Sequence, residues 1–114
     1  MGHIGEEHAS QHLARRGFVI LERNWRSGHL EVDIIAQKDG ITHIVEVKTR
    51  HENTPVAVHE LLTYPKQQAL LRAANRYAEL NRNVRGVQID LVLVLVGPGG
   101  LSIEYFEDAV VPHF

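Results

Sequence analysis

The stretch from Glu31 to Arg50, EVDIIAQKDGITHIVEVKTR, leaves this chain few ways to fold. Two alternating, β-branched runs flank Asp39-Gly40, a dipeptide that supplies the positive φ angles of a tight hairpin turn. With Asp39-Gly40 as the loop, Lys38 faces Ile41, and counting outward sets Ile35 against Ile44, Asp33 against Glu46 and Glu31 against Lys48. Successive side chains point to opposite faces, so the last six of these residues, Ile35, Ile44, Asp33, Glu46, Glu31 and Lys48, share one side, while Val32, Ile34, Ala36, His43, Val45 and Val47 share the other. The second set reads as a core face interrupted by one histidine. The first brings three acids and a lysine together. A four-residue loop keeps this register, and a loop of three or five residues shifts it.

Carboxylates facing each other across a sheet, with Cβ atoms roughly 5 Å apart, repel unless a cation lies between them. A hard divalent ion such as Mg²⁺ suits the position, because it takes one or two carboxylates plus waters and leaves room for a phosphate. Lys48, on the same face as Glu46, then stands where it can stabilise developing negative charge or position an attacking water. The plainer reading is a solvated sheet edge, with Glu31 and Lys48 in a surface pair and Asp33 and Glu46 facing water.

Composition narrows the choices. At 114 residues the expectation is one domain with one core, spanning 1–114. Without cysteine, neither disulfides nor thiolate zinc sites are available. No apolar run approaches the roughly 20 residues that cross a bilayer, and no signal peptide precedes the first helix, so a cytoplasmic location with no membrane partner is expected. The formal charge of −2 argues at first sight against a nucleic-acid partner. Setting aside Glu6, Glu31, Asp33 and Glu46 as site candidates leaves 12 basic residues against 10 acidic ones. A basic surface therefore remains open.

Gly5 to Arg16 reads as a helix with Ile4, Ala9 and Leu13 on its buried stripe and Gly17 as its stop. Glu6 and Glu7 complement the dipole of its first turn. His8 and His12 share a face, but with no third ligand they read as a polar flank. Phe18 to Leu21 is a short strand ending in the charged stretch Glu22 to Arg26. Trp25, flanked by Arg23 and Arg26, either packs over the sheet or stacks on a base or a guanidinium group. Ser27-Gly28-His29 connects to the hairpin. After a polar stretch, Val56 to Thr63 holds a helical turn. Pro65 to Arg82 follows as an amphipathic helix, with Leu70, Ala73, Ala74, Tyr77, Ala78 and Leu80 inward and Lys66, Arg72, Arg76 and Arg82 on the polar side. Val87 to Val96 is apolar on both faces, as a central strand must be, with Asp90 its one acid. Gly97-Pro98-Gly99-Gly100 turns into an edge strand from Leu101 to Phe106, and Glu107 to Phe114 carries no strong signal. The order gives an α/β sandwich in which helices cover a mixed sheet.

An acid followed, across a hairpin, by Glu-x-Lys resembles the PD-(D/E)xK nuclease superfamily. The whole chain resembles one uncharacterised bacterial branch of it, the UPF0102 or YraN family, which is related in fold to archaeal Holliday junction resolvases. The resemblance rests on Gly5-Glu6 with Ala9 and Leu13, Gly17-Phe18, Arg23-Asn24-Trp25-Arg26, Glu31-Val32-Asp33-Ile34-Ile35-Ala36, Val45-Glu46-Val47-Lys48-Thr49-Arg50, Lys66 with Ala73-Ala74, and Ile89-Asp90-Leu91-Val92. Val32 stands where the superfamily has proline, and Leu30 where many relatives have glycine; neither change removes a ligand.

The resemblance implies a restriction-endonuclease-like sandwich, a central mixed β-sheet with helices on both faces. It implies that Asp33 and Glu46 are metal ligands and catalytic together with Lys48, and that Glu6 brings a further acid to the metal. Glu31, Arg50 and Lys66 are accessory candidates, and Arg23, Arg26, Arg50, Lys66 and Arg72 are candidates for nucleic-acid contacts. The function expected is Mg²⁺-dependent phosphodiester hydrolysis, with Mn²⁺ as a substitute ion, on DNA in preference to RNA and on branched or repair intermediates. A homodimer would suit the two-fold symmetry of a junction. The alternative is a non-catalytic module that keeps the nuclease fold and binds nucleic acid or a repair partner.

Overall fold

The computed structural model describes residues 2–55, 57–82 and 84–110. Helix α1 (Gly2–Arg15) is followed by strands β1 (Val19–Ser27), β2 (Leu30–Lys38) and β3 (Ile41–His51). Helices α2 (Val58–Leu61) and α3 (Tyr64–Leu80) come next, then strands β4 (Val87–Gly97) and β5 (Gly100–Phe106). The five strands form one sheet in sequence order. β3 and β4 run parallel, bridged by the helical crossover, and the other neighbours are antiparallel. The sheet is mixed and has a helix on each face, the α/β restriction-endonuclease-like sandwich.

Each face has its own core. On one side Ala9 and Leu13 of α1 pack with Phe18, Ile34, Ala36, Val45, Val92 and Val94. On the other, Leu70, Ala73, Ala74 and Tyr77 of α3 pack with Trp25, Val32, Ile35, Ile44, Ile89, Leu91 and Leu93. β4 feeds both clusters, which is why its sequence is apolar throughout. Trp25 is buried edge-on against Tyr77, with ring centroids 5.7 Å apart, so the packing role holds over base stacking.

Several elements depart from the sequence reading. Ile4 is exposed, although it lies within α1, which already starts at Gly2. α3 ends at Leu80, whose side chain is also exposed. β1 continues through the charged residues to Ser27: as an edge strand it needs ladder partners on one side only, and charged side chains are tolerated there. Gly28, at φ 60°, closes a two-residue turn onto Leu30, so the central hairpin is part of a three-stranded meander. Residues 107–110, which carried no signal, return to the sheet through Ala109 N–H to the Ile89 carbonyl at 2.8 Å. Val56 and 111–114, named in the sequence reading, lie outside the described residues.

Strict alternation also fails along β2. Val32 joins the α3-side core, while Ile34 and Ala36 join the α1 side. The face opposite α1 is not solvated either, for Ile35 and Ile44 are fully buried beneath α3.

Candidate functional site at a fork in the sheet

The register expected for the hairpin forms from Lys38↔Ile41 to Ile34↔Val45 and then stops. Past that point β2 stays with β1, through Trp25↔Val32 and Arg26↔Glu31, while β3 stays with β4, through Glu46↔Leu91 and Lys48↔Leu93. The two strands part, and Asp33 and Glu46 stand at the mouth of the fork in place of a ladder pair. Asp33 turns into the gap, where its Oδ2 accepts the Val47 N–H at 2.8 Å, satisfying a backbone donor that the missing ladder would have left without a partner.

The neighbouring strand accommodates that turn. Arg23 reaches Glu7 on α1, whereas Trp25, two residues on, is buried against α3; their partners Ile34 and Val32 divide in the same way. Alternation would put residues two apart on one face, so both strands reverse their facing across Asn24 and Asp33. Asn24 supplies the reversal from a left-handed backbone, φ 52°, which asparagine tolerates better than most residues.

From the α1 side, Gly5 lies so close to β3 that a Cβ there would collide with the Thr49 side chain. This approach delivers the next residue, Glu6, to the fork. From the α3 side, Thr63 caps the helix by accepting the Lys66 N–H at 3.4 Å, and Lys66 extends its ammonium to 3.0 Å from Glu46 Oε2. Lys48 Nζ is 3.7 Å from the same oxygen. The cavity, about 370 Å³, is lined by Glu6, Asp33, Glu46, Val47, Lys48, Thr49, Arg50 and Lys66.

Glu46 is only 3% exposed, so it does not face water as a solvated sheet edge would require. Its carboxyl is pushed up to about 7, first by burial and then by the adjacent Asp33 carboxylate, with Lys66 pulling the other way. Its Oε2 has no hydrogen bond, since Lys66 comes within ion-pair distance but off the hydrogen-bonding directions. Glu6 Oε2 is likewise buried without a partner.

Six predicted site residues thus meet in one cavity: Glu6, Asp33, Glu46, Lys48, Arg50 and Lys66. Four do not line it. Glu31 pairs with Arg26 at 3.3 Å, both well exposed, because the fork separates Glu31 from Lys48. Arg23 is held by Glu7 at 2.7 Å, and Arg72 lies exposed on α3. Sequence reading missed Thr49 and the Val47 N–H as parts of the site, since neither carries a signal until the strands part.

A second polar cluster lies in the α1-side layer. Asp90, fully buried, accepts from His43 Nδ1 at 2.6 Å, Gln88 Nε2 at 2.9 Å, the Asp108 N–H at 3.1 Å and the Tyr105 hydroxyl. The Tyr105 phenol is pushed well above its usual range by burial and then by Asp90.

Residues 5–94 match the protein family described as "Uncharacterised protein family UPF0102". A UPF0102 protein of Bacteroides fragilis is 37% identical over 112 residues, covering 98% of this chain and 93% of the relative. One from Nitratiruptor is 42% identical over 94 residues, covering 82% and 81%. One from Oleidesulfovibrio alaskensis is 47% identical over 94 residues, covering 82% of this chain and 46% of its own longer one. With the family pattern matched over residues 5–94, a relative 37% identical over nearly the whole of both chains, and a fold consistent with the PD-(D/E)xK superfamily, the chain belongs to the UPF0102 family.

Proposed function

We propose that the chain is a Mg²⁺-dependent phosphodiesterase acting on DNA, with Mn²⁺ able to replace Mg²⁺. The observation that carries this reading is the pair of buried carboxylate oxygens, on Glu6 and Glu46, left without hydrogen bonds in a cavity shared with Asp33. Burying carboxylate oxygens without hydrogen bonds costs on the order of several kcal/mol, and a divalent cation offsets that cost.

Among the described residues no group of three or more His, Asp or Glu side chains is set to hold a metal unaided. Mg²⁺ does not require one, because it binds through one or two carboxylates and fills its remaining positions with water and phosphate oxygens. Glu46 and Asp33 would hold the ion, with Glu6 on an inner or outer position. When bound, the ion polarises the phosphate and lowers the pKa of an attacking water.

The other steps belong to the chain's own residues. Lys48, beside Glu46 and partly exposed to the cavity, directs its ammonium at the phosphate oxygens, where charge builds as the water attacks. Arg50 at the rim takes a neighbouring phosphate and fixes the backbone in register. Asp33, tied to the Val47 N–H, keeps its other oxygen for the ion or its water. The arginines outside the cavity act on the duplex as counter-charges, in a manner that depends on salt and little on sequence.

An assay of linear, flapped and four-way DNA, with RNA alongside, with and without Mg²⁺ or Mn²⁺, tests the reading. Cleavage should require the metal, vanish in Glu46→Gln and fall roughly 100-fold in Lys48→Met. Salt-sensitive DNA binding with no cleavage of any substrate under either ion would replace the enzyme with a binding module.

A further inference from the structure

Resting on the metal-site reading above, we propose that Lys66 is a built-in stand-in for the metal: its ammonium neutralises Glu46 while the site is empty, and it moves to a substrate phosphate when Mg²⁺ enters. Metal and phosphodiester are then taken up together.

Three acids, Glu6, Asp33 and Glu46, and three cations, Lys48, Arg50 and Lys66, line the cavity, which is formally neutral when all are ionised. A divalent ion added to that set leaves a surplus of two positive charges in a partly buried space. Anionic phosphates remove the surplus, and phosphodiesters of a DNA backbone carry one charge each.

Geometry then selects the residue. Of the two lysines near Glu46 Oε2, Lys66 is closer, at 3.0 Å against 3.7 Å for Lys48. Its approach lies off the hydrogen-bonding directions, so the contact is carried mainly by charge. A hard cation that takes the same oxygen replaces the contact without breaking a directed bond. The lysine arises from the first turn of a capped helix, so its Cα is fixed while a four-carbon stem lets the ammonium travel. A third of the Lys66 side chain is solvent-accessible, which leaves it a path toward a bound strand. Lys48 lies on β3 itself, two residues from Glu46.

Calorimetric Mg²⁺ titration of wild type, Lys66→Met and Lys48→Met tests this, in the absence and presence of the dinucleotide dTpdT. The titrations are run at about pH 9, well above the value near 7 to which the wild-type Glu46 carboxyl is pushed. Without the dinucleotide, Lys66→Met should bind Mg²⁺ at least about 5-fold more tightly than wild type, and Lys48→Met should change affinity less, following the distances. With dTpdT, wild-type affinity for Mg²⁺ should rise, and the rise should be smaller in Lys66→Met. Lys66→Gln guards against a packing effect of methionine and should behave as Lys66→Met does. Equal or weaker Mg²⁺ binding in both Lys66 variants overturns the stand-in role; if wild type still binds the ion, the metal site itself survives. Absence of Mg²⁺ binding in every protein overturns both.

Discussion

Glu46 and Asp90 are buried carboxylates on adjacent parallel strands, and the contrast between them separates what holds this fold together from what equips it to act. Asp90 receives four donors, from a histidine, a glutamine, a tyrosine and a backbone N–H, and all but the Gln88 contact, which lies within β4, tie one part of the chain to another. Through Tyr105 and Asp108 it fixes β5 and the segment after it onto the sheet, and Phe18 closes the cluster edge-on against His43 at 4.8 Å. Glu46 receives no aligned donor at Oε2 and has a second carboxylate beside it. A saturated buried acid contributes to stability. An unsaturated one is costly, and the cost makes sense where a ligand supplies the missing partner.

The comparison breaks most visibly in stability. Asp90→Asn turns one acceptor into a donor facing other donors, so it should cost about 3 kcal/mol and lower the melting temperature by on the order of 10 °C. Glu46→Gln should leave the metal-free protein unchanged or up to about 1 kcal/mol more stable, because it relieves the repulsion from Asp33. Thermal melts of the two variants side by side check this. Equal losses in both would mean that Glu46 is as structural as Asp90.

The pH dependence sharpens the same point. The Glu46 carboxyl titrates near 7 in the folded chain against a usual value of 4.5, so the folded state holds the proton more tightly than the unfolded state. That contribution is complete below about pH 4.5 and is lost as the pH rises through 7. From this group, metal-free protein should be about 1–3 kcal/mol more stable at pH 5 than at pH 8.5, and Glu46→Gln should flatten the difference. Denaturant melts at both pH values, with a chelator present, give the answer; added Mg²⁺ should restore stability at the higher pH.

How much of this could be read in the sequence follows from the same two acids. The turn at Asp39-Gly40 and the register from Lys38↔Ile41 to Ile35↔Ile44 follow from local chemistry, so the approach of Asp33 to Glu46 was legible. The fork was not, since it depends on β1 and β4 drawing β2 and β3 apart, and no local pattern records that competition. Carried past Ile34, the alternation therefore put Val32 on the wrong face and Glu31 opposite Lys48. Asp90 and His43 stood out as lone polar residues in apolar runs, but their meeting required the parallel pairing of strands more than 40 residues apart. Gly5 and Lys66 could be matched to a family pattern, while their physical reasons, a helix pressed against Thr49 and an ammonium against Glu46, appear only in three dimensions.

A smaller effect tests the fork itself. Asn24→Gly keeps access to positive φ and should change stability by only a few tenths of a kcal/mol, whereas Asn24→Val, a β-branched residue in that conformation, should cost about 1–2 kcal/mol. If the fork depends on the reversal at Asn24, hydrogen exchange of the Val47 amide, protected by Asp33, should quicken in Asn24→Val beyond the global loss of stability. An unchanged ratio would separate Asn24 from the placement of Asp33.

The central claim is that the buried Glu46 oxygen left without a hydrogen bond awaits a divalent ion. Calorimetric titration of Mg²⁺ into wild type and Glu46→Gln tests it most directly, with Asp90 left intact so that both proteins stay folded. The account predicts measurable binding to wild type and a loss of at least about tenfold in Glu46→Gln, which keeps the shape and removes the charge. Equal affinity in the two proteins would contradict it.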